Sequence, residues 1–541
     1  MSSVPNKLTI INPGLPGKDA KGIVLGQAAN ELVFAVVGHV GSGTSVVANQ
    51  LATLLRDTVY QGVSFEVEVL KARNVIEEWA KSKELALPTQ LDPPSLNQVN
   101  ALQDYGDQMR SEVNKNGESD HAAIARALVL KIQCVRAAKT GVQFEKGKPV
   151  RPDGRPRVYI LDSIRHPAEV ALLRRVYQDA FLLIGVVCEE EKRISRIGAK
   201  FRDAGRQATL DFMKRDADAG EKYGQHVGDA FHLSDYFVDN TVDRVKNGQA
   251  NPDWDVVENL SRLIKILTHS ELVRPTVAET AMHHAHSAQM QSACLSRQVG
   301  AAVTDAIGNV VATGTNEVPK AGGGVYGESF EVGGLDARCG MFGDAQERYC
   351  RNTREQNEII NELLKEVPEL RALDEDRKRV LAVDLRKTRI GQLLEFSRAV
   401  HAEMDALLSA ARKGVSLVGT RLFVTTFPCH FCARHIVAAG VDEVQYIEPY
   451  PKSQALNLHR DAIAVEHSGW TPPSSRGDKV LFRPFSGIAP RWYKRAFFKD
   501  RELKDKATGT MKIHLPDWGM PWHLPKLSYV EIEAELSRET T

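Results

Sequence analysis

HAEMDALL (401–408), followed by TTFPCHFCARHIVAAGVDEVQYI (425–447), is the stretch that orders the second half of this chain. Its periodicity predicts a helix over 401–413, a strand over 421–425, a second helix over 432–439 and a second strand over 443–447. The polar residues that break the pattern fall at the two helix starts. Cys429 and Cys432 stand three residues apart, close enough for both thiolates to reach one metal ion, and His401 offers an imidazole from the other helix start. Two sulfurs and one nitrogen leave the fourth tetrahedral position open, as catalytic zinc requires and structural zinc does not. Zinc lowers the pKa of water from about 15.7 to about 7. Glu403, two residues beyond His401, turns about 200° around the helix. It can reach a water and a substrate ring without joining the metal shell, and a carboxyl so placed can take and return a proton. A structural zinc site built from Cys429, Cys432 and further ligands such as Cys339 and Cys350 is the competing reading. Cys339 and Cys350 could also hold a second zinc.

H-x-E followed by P-C-x-x-C is the signature of zinc-dependent nucleobase deaminases. With SRQVGAAVTDAIGNVVATGTNEVP (296–319), HAEMDALL and TTFPCHFCARHIVAAGVDEVQYIEPYP (425–451), the chain resembles deoxycytidylate deaminases over roughly 280–320 and 398–465. The resemblance implies a five-stranded sheet sandwiched by helices, with Asn316 and Arg297 in the substrate pocket. It also implies an attack on the ring C4 by zinc-activated water, with Glu403 as proton shuttle. Where a short loop is usual, this chain carries about 80 extra residues, 317–398, of which 354–398 are charged and helical in period.

Working outward, 541 residues allow two to four domains. A hydrophobic content of 43% and a charged content of 26% exclude wholesale disorder and fibrous architectures. Lys and Arg number 70 against 69 Asp and Glu, a net charge of +1 without the basic excess of a chain that neutralises a long phosphate backbone. Neither a signal pattern nor an apolar run long enough for a membrane span occurs, so a cytoplasmic protein with no membrane association is expected. Seven scattered cysteines suit thiols or metal ligands better than disulfides. Cys134, Cys188 and Cys294 read as buried thiols, and His283, His284 and His286 as one face of a helix.

The first half has its own pattern. Residues 1–30 read as an arm. ELVFAVV (31–37), VYIL (158–161) and FLLIGVV (181–187) are compact apolar runs alternating with helical segments, so residues 31–250 should form a parallel sheet covered by helices. GHVGSGTS (38–45) follows the first run with the spacing of a phosphate loop, and the candidate nucleotide-binding residues are Gly38, Gly41, Ser42, Gly43, Thr44, Ser45 and Asp162. Ser45 occupies the position of a Mg2+ ligand, and Asp162 that of its acidic partner. Thr44 stands where phosphoryl transfer needs lysine. Arg193, Arg196 and Arg202 resemble the basic lid of nucleoside-monophosphate kinases, and 31–240 as a whole resembles a degenerate P-loop kinase. The second unit is expected over 277–541. The tail RPFSGIAPRWYKRAF (483–497) mixes aromatic and basic residues without a clear period.

A degenerate P-loop unit followed by a deaminase-like unit resembles bacterial anti-phage deoxycytidine-nucleotide deaminases. That resemblance implies conversion of dCTP and dCMP to dUTP and dUMP, and restraint by a small inhibitory RNA before infection. Deoxycytidylate deaminases further imply inhibition by dTTP and a homo-oligomer. A nucleic-acid-editing deaminase and a nucleotide sensor with structural zinc remain the alternatives.

Overall fold

The computed structural model describes residues 29–60, 63–89, 94–113, 117–202, 204–327, 349–450, 452–467, 469–499 and 502–512, with 530, 533, 534 and 537 near the end. It divides the chain into two α/β units. One comprises residues up to Arg274 together with those from Ser486 onward, and the other spans Pro275–Phe485.

The first unit is built on the apolar runs. Glu31–Val37 is buried along its whole length, as a strand covered on both faces must be. It lies at the centre of the sheet, parallel to Arg157–Ile164 on one side and to Phe181–Val187 on the other. Glu66–Lys71 extends the sheet beyond the former and Tyr236–Asp239 beyond the latter, both in parallel. The far edge departs from expectation. Gly487–Ile488 pairs antiparallel with Tyr236–Phe237, so the tail completes the first sheet instead of ending the second unit at 541. Local pattern could not place it, because the two-residue strand returns from about 250 positions away.

The second unit has a mixed sheet in the order Val310–Thr315, Gly300–Thr304, Arg421–Thr426, Glu443–Glu448, Val480–Pro484 and Ile463–Ala464. The first three strands alternate in direction and the rest run parallel. Six strands form this sheet where five were implied, the extra one being the two-residue Ile463–Ala464 edge. Helix Val277–Gln289 starts at a capping box: the Thr276 hydroxyl accepts the Glu279 amide at 3.1 Å, and the Glu279 carboxylate accepts the Thr276 amide at 2.7 Å. The insertion contributes helices Arg351–Glu366, Pro368–Arg371 and Glu375–Lys387. Cys339 and the rest of 328–348 lie outside the described residues, as does the arm before residue 29. No helix among the described residues is long and apolar enough to cross a membrane.

Candidate active site

Two helix starts build the centre of the second unit, one entered from a loop with a single bridge at Val400 and the other from strand Arg421–Thr426. His401 is the N-cap of helix Ala402–Arg412, and Cys429 is the N-cap of helix His430–Ala438, with Cys432 one turn further in. Both helix starts sit at one end of the central strands, so the sheet brings together residues 28 positions apart. The His401 Nδ1 lies 3.3 Å from the Cys429 Sγ and 3.4 Å from the Cys432 Sγ, and the three atoms fall within 4.8 Å of one another. Zinc bonded tetrahedrally to one nitrogen and two sulfurs separates N from S by about 3.6 Å. The donor set, its spacing and the near-complete burial of both thiols therefore fit a zinc ion. Cys350, the other half of the competing ligand set, lines the same cavity beside the Ser296 hydroxyl at 3.4 Å and is not in the trio.

The three donors and Glu403 bias one another's protonation at close range. The hydrogen bond from Cys432, reinforced by His401, pulls the Cys429 thiol down to about 4 against its burial. Cys432 moves the other way, because a second thiolate beside the first is opposed by that same contact and by burial. Burial would lower the His401 ring, but its hydrogen bond to Cys429 and the thiolate charge outweigh it and raise the ring to about 9. Glu403 is 4% exposed. Burial first, and the Cys429 charge second, lift its carboxyl to about 7. A buried carboxyl near neutrality, in hydrogen-bond contact with a ligand thiol, is suited to moving a proton in either direction.

Around this centre lies a cavity of about 340 Å³, lined by His401, Glu403, Cys429 and Phe427 at its buried end. Asn316 and Arg297 line it too, but their polar groups are engaged by the protein. The Asn316 side-chain oxygen accepts the Val299 amide at 2.6 Å, and its nitrogen donates to the Arg297 carbonyl at 2.7 Å. That amide holds the 297–299 turn in place. Arg297 pairs with Glu448 at 3.1 Å and lies over the Tyr450 ring. Arg398, Lys452 and Asn352 also line the cavity. Sequence reasoning passed over them; the one available signal was the position of Arg398, three residues before His401. Cys294, expected to be buried, is half-buried in the cavity wall, and Cys134 and Cys188 are half-buried elsewhere. His283 and His286 are half-buried and His284 exposed on their helix.

The residues expected to form a phosphate loop, 38–45, follow the central strand Glu31–Val37 and lead into helix Thr44–Asp57. Gly41 and Gly43 take φ of +84° and +86°, which their lack of a side chain permits. Thr44 is buried at the start of helix Thr44–Asp57. The Ser45 hydroxyl donates directly to the Asp162 carboxylate at 2.7 Å, so the two groups expected to share a cation satisfy each other. The Val40 amide, one of the loop donors, is taken by the Asp216 carboxylate at 2.7 Å, which also pairs with Arg165. Gly43 faces the Asn240 side chain, which donates to the Ser42 carbonyl at 2.8 Å. A Cβ at Gly38 would meet the Ser42 hydroxyl at 2.5 Å and the Val186 carbonyl at 3.0 Å, so a side chain there would have to move the hydroxyl aside and press on the neighbouring strand. Among the expected lid arginines, Arg193 and Arg196 lie on helix Glu190–Lys200 and Arg202 just beyond it. Arg196 is held by the Asn240 carbonyl at 2.8 Å and by Asp243 at 3.2 Å.

Residues 275–448 match the cytidine and deoxycytidylate deaminase zinc-binding region. The deoxycytidylate deaminase of Enterobacteria phage T2 is 30% identical over 179 residues, 33% of this chain and 82% of that protein. The corresponding enzyme of Enterobacteria phage T4 is 29% identical over 184 residues, again 33% of this chain and 80% of its own. ComE operon protein 2 of Bacillus subtilis is 41% identical over 73 residues, 13% of this chain and 38% of that protein.

Proposed function

Because the chain belongs to the deoxycytidylate deaminase family, we propose that its second unit hydrolyses dCMP and dCTP to dUMP and dUTP, releasing ammonia. The observation that carries this reading is the His401, Cys429 and Cys432 trio with the buried Glu403 carboxyl in one cavity. Held by those three residues, zinc supplies the Lewis acidity that makes water a nucleophile at neutral pH. Glu403 takes a proton from the attacking water and delivers it to the ring nitrogen N3; it then takes the remaining proton of the hydroxyl added at C4 and gives it to the amine, so that the C4 carbonyl forms as ammonia leaves. Phe427 closes the buried end against bulk water. Asn316 and Arg297 keep the 297–299 wall in register for the sugar.

In a cell, the reaction would drain a DNA precursor, and we assign it to defence against phage. The first unit serves control and not phosphoryl transfer, since Thr44 leaves the loop without the lysine that neutralises β- and γ-phosphates. A nucleotide entering the loop must displace the Asp216 carboxylate from Val40, which gives such binding a structural consequence. Restraint by dTTP and by a small RNA belongs to the same scheme. A homo-oligomer is supported by helix Glu375–Lys387, which buries none of its residues and exposes Val380 and Val383.

The decisive experiment incubates zinc-loaded protein with dCMP, dCTP and a cytosine-containing single strand and follows ammonia. Release from both nucleotides and not from the strand is expected. Release from the strand alone would replace this reading with nucleic-acid editing. Millimolar dTTP should slow dCTP turnover; an unchanged rate would remove dTTP from the scheme.

A further inference from the structure

Helix Glu375–Lys387 of the insertion has two unlike faces. It packs on helix Arg351–Glu366, and its half-buried residues Lys378, Leu381, Ala382 and Leu385 share one face. The opposite face carries Asp376, Val380, Val383 and Lys387, spaced i, i+4, i+7 and i+11, which sets all four along one narrow stripe. All four are exposed, and the two valines keep 51% and 57% of their surface in water. A β-branched residue lowers helix propensity, so at exposed positions of a charged helix these side chains gain nothing from the helix itself.

The stripe is balanced about its own middle. Its valines lie at the centre, with an acid toward the N-terminal end and a base toward the C-terminal end. Laid antiparallel against its own copy, it brings Val380 to Val383 across the contact and Asp376 to Lys387 at both ends. Laid parallel, it would set Asp376 on Asp376 and Lys387 on Lys387. Charge therefore selects the antiparallel arrangement, which is the isologous geometry of a two-fold dimer. Within the chain each end charge meets an exposed residue one turn away: Arg379 lies 3.3 Å from Asp376, and Asp384 lies 3.1 Å from Lys387. Such exposed pairs contribute little and leave the charges open to a partner. A phosphate backbone is disfavoured, because Asp376 and Asp384 are interleaved with the bases.

We propose that the stripe of Asp376, Val380, Val383 and Lys387 is a docking surface for a second copy of this chain, paired antiparallel about a two-fold axis. It names a surface for the homo-oligomer proposed above and rests on that reading. A helix about 20 Å long buries less than the roughly 1,200 Å² of a stable interface, so the pairing is reversible and its extent follows concentration.

Sedimentation of the zinc-loaded, full-length protein over a concentration series tests this for wild type, V380E, D376K and K387E. V380E puts a charge in the middle of the contact and should raise the dissociation constant by at least about 10-fold, so that the particle mass at a given concentration falls toward half. D376K and K387E each bring like charges together at both ends, and each should weaken pairing by about 3–30-fold. An equal mixture of D376K and K387E restores opposite charges at both ends and should pair as tightly as wild type. Recovery on mixing separates a surface effect from misfolding. Single variants that all assemble like wild type, or a mixture that stays dissociated, overturn this surface and leave the homo-oligomer reading in place; another segment or another protein then covers the helix. A wild type that stays monomeric up to about 100 μM overturns that reading, and the surface with it.

Discussion

Glu403 and His401 are separated by one residue, and that separation divides their proposed work. The imidazole sits at the N-cap, outside the helix, whereas the carboxyl lies in the first turn and buries itself against the ligand thiols. Glu403→Gln keeps the volume and removes the proton exchange. Deamination should fall by at least about 10²–10⁴-fold with zinc content unchanged. Cys432→Ala should lose zinc and activity together. Zinc analysis beside an ammonia assay checks both, and a Glu403→Gln protein lacking zinc would move Glu403 into the metal shell. Asn316 carries a different lesson. The resemblance placed it in the substrate pocket, and it lines the cavity, but both ends of its amide are bonded to the 297–299 turn. A residue type read from sequence does not reveal which of its bonds the protein already uses.

Elements decide how accurately those residues are delivered. The helix that starts after His401 packs on strand Val310–Thr315 at glycine-close range. A Cβ placed on Gly314 would lie 2.2 Å from the Ala406 nitrogen and 2.3 Å from the Ala402 oxygen. Both are backbone atoms and cannot turn aside. Asp405, on the same helix, accepts the Thr315 amide at 3.1 Å and fixes the helix along the strand. Gly314→Ala must therefore lift the helix, at a cost of about 1–3 kcal/mol. Because His401 caps that helix, zinc content should fall with stability. Thermal melts and metal analysis test this; a destabilised variant with full zinc would show that the helix tilts without moving its first residue. Gly314 sits in the TGTNEVP segment and reads in sequence as ordinary strand. Its requirement arises from a helix about 90 residues later.

At the scale of the whole molecule, the tail after Phe485 belongs to the first unit. Its closure there is electrostatic as well as apolar. Glu533 is fully buried against Arg136, which also binds Glu31 at 2.6 Å, while Arg157 meets Glu31 at 3.1 Å. Removing one member leaves uncompensated charge in the interior, so Glu533→Ala should destabilise the first unit by about 3–5 kcal/mol. Urea denaturation followed within that unit measures it, and a variant as stable as wild type would mean that water reaches Arg136. The sequence by itself pointed to the His401, Cys429 and Cys432 trio, to Glu403 beside it, and to the buried parallel strands of the first unit. Each follows from residue types within a few positions of a helix start or from an unbroken apolar run, where local geometry settles what neighbours can do. Only the tertiary structure decided that the insertion walls the cavity, that Asp216 takes the Val40 amide 176 residues away, and that the tail returns to the first sheet. These are contacts between distant segments, made by packing and charge pairing, and no local period encodes them.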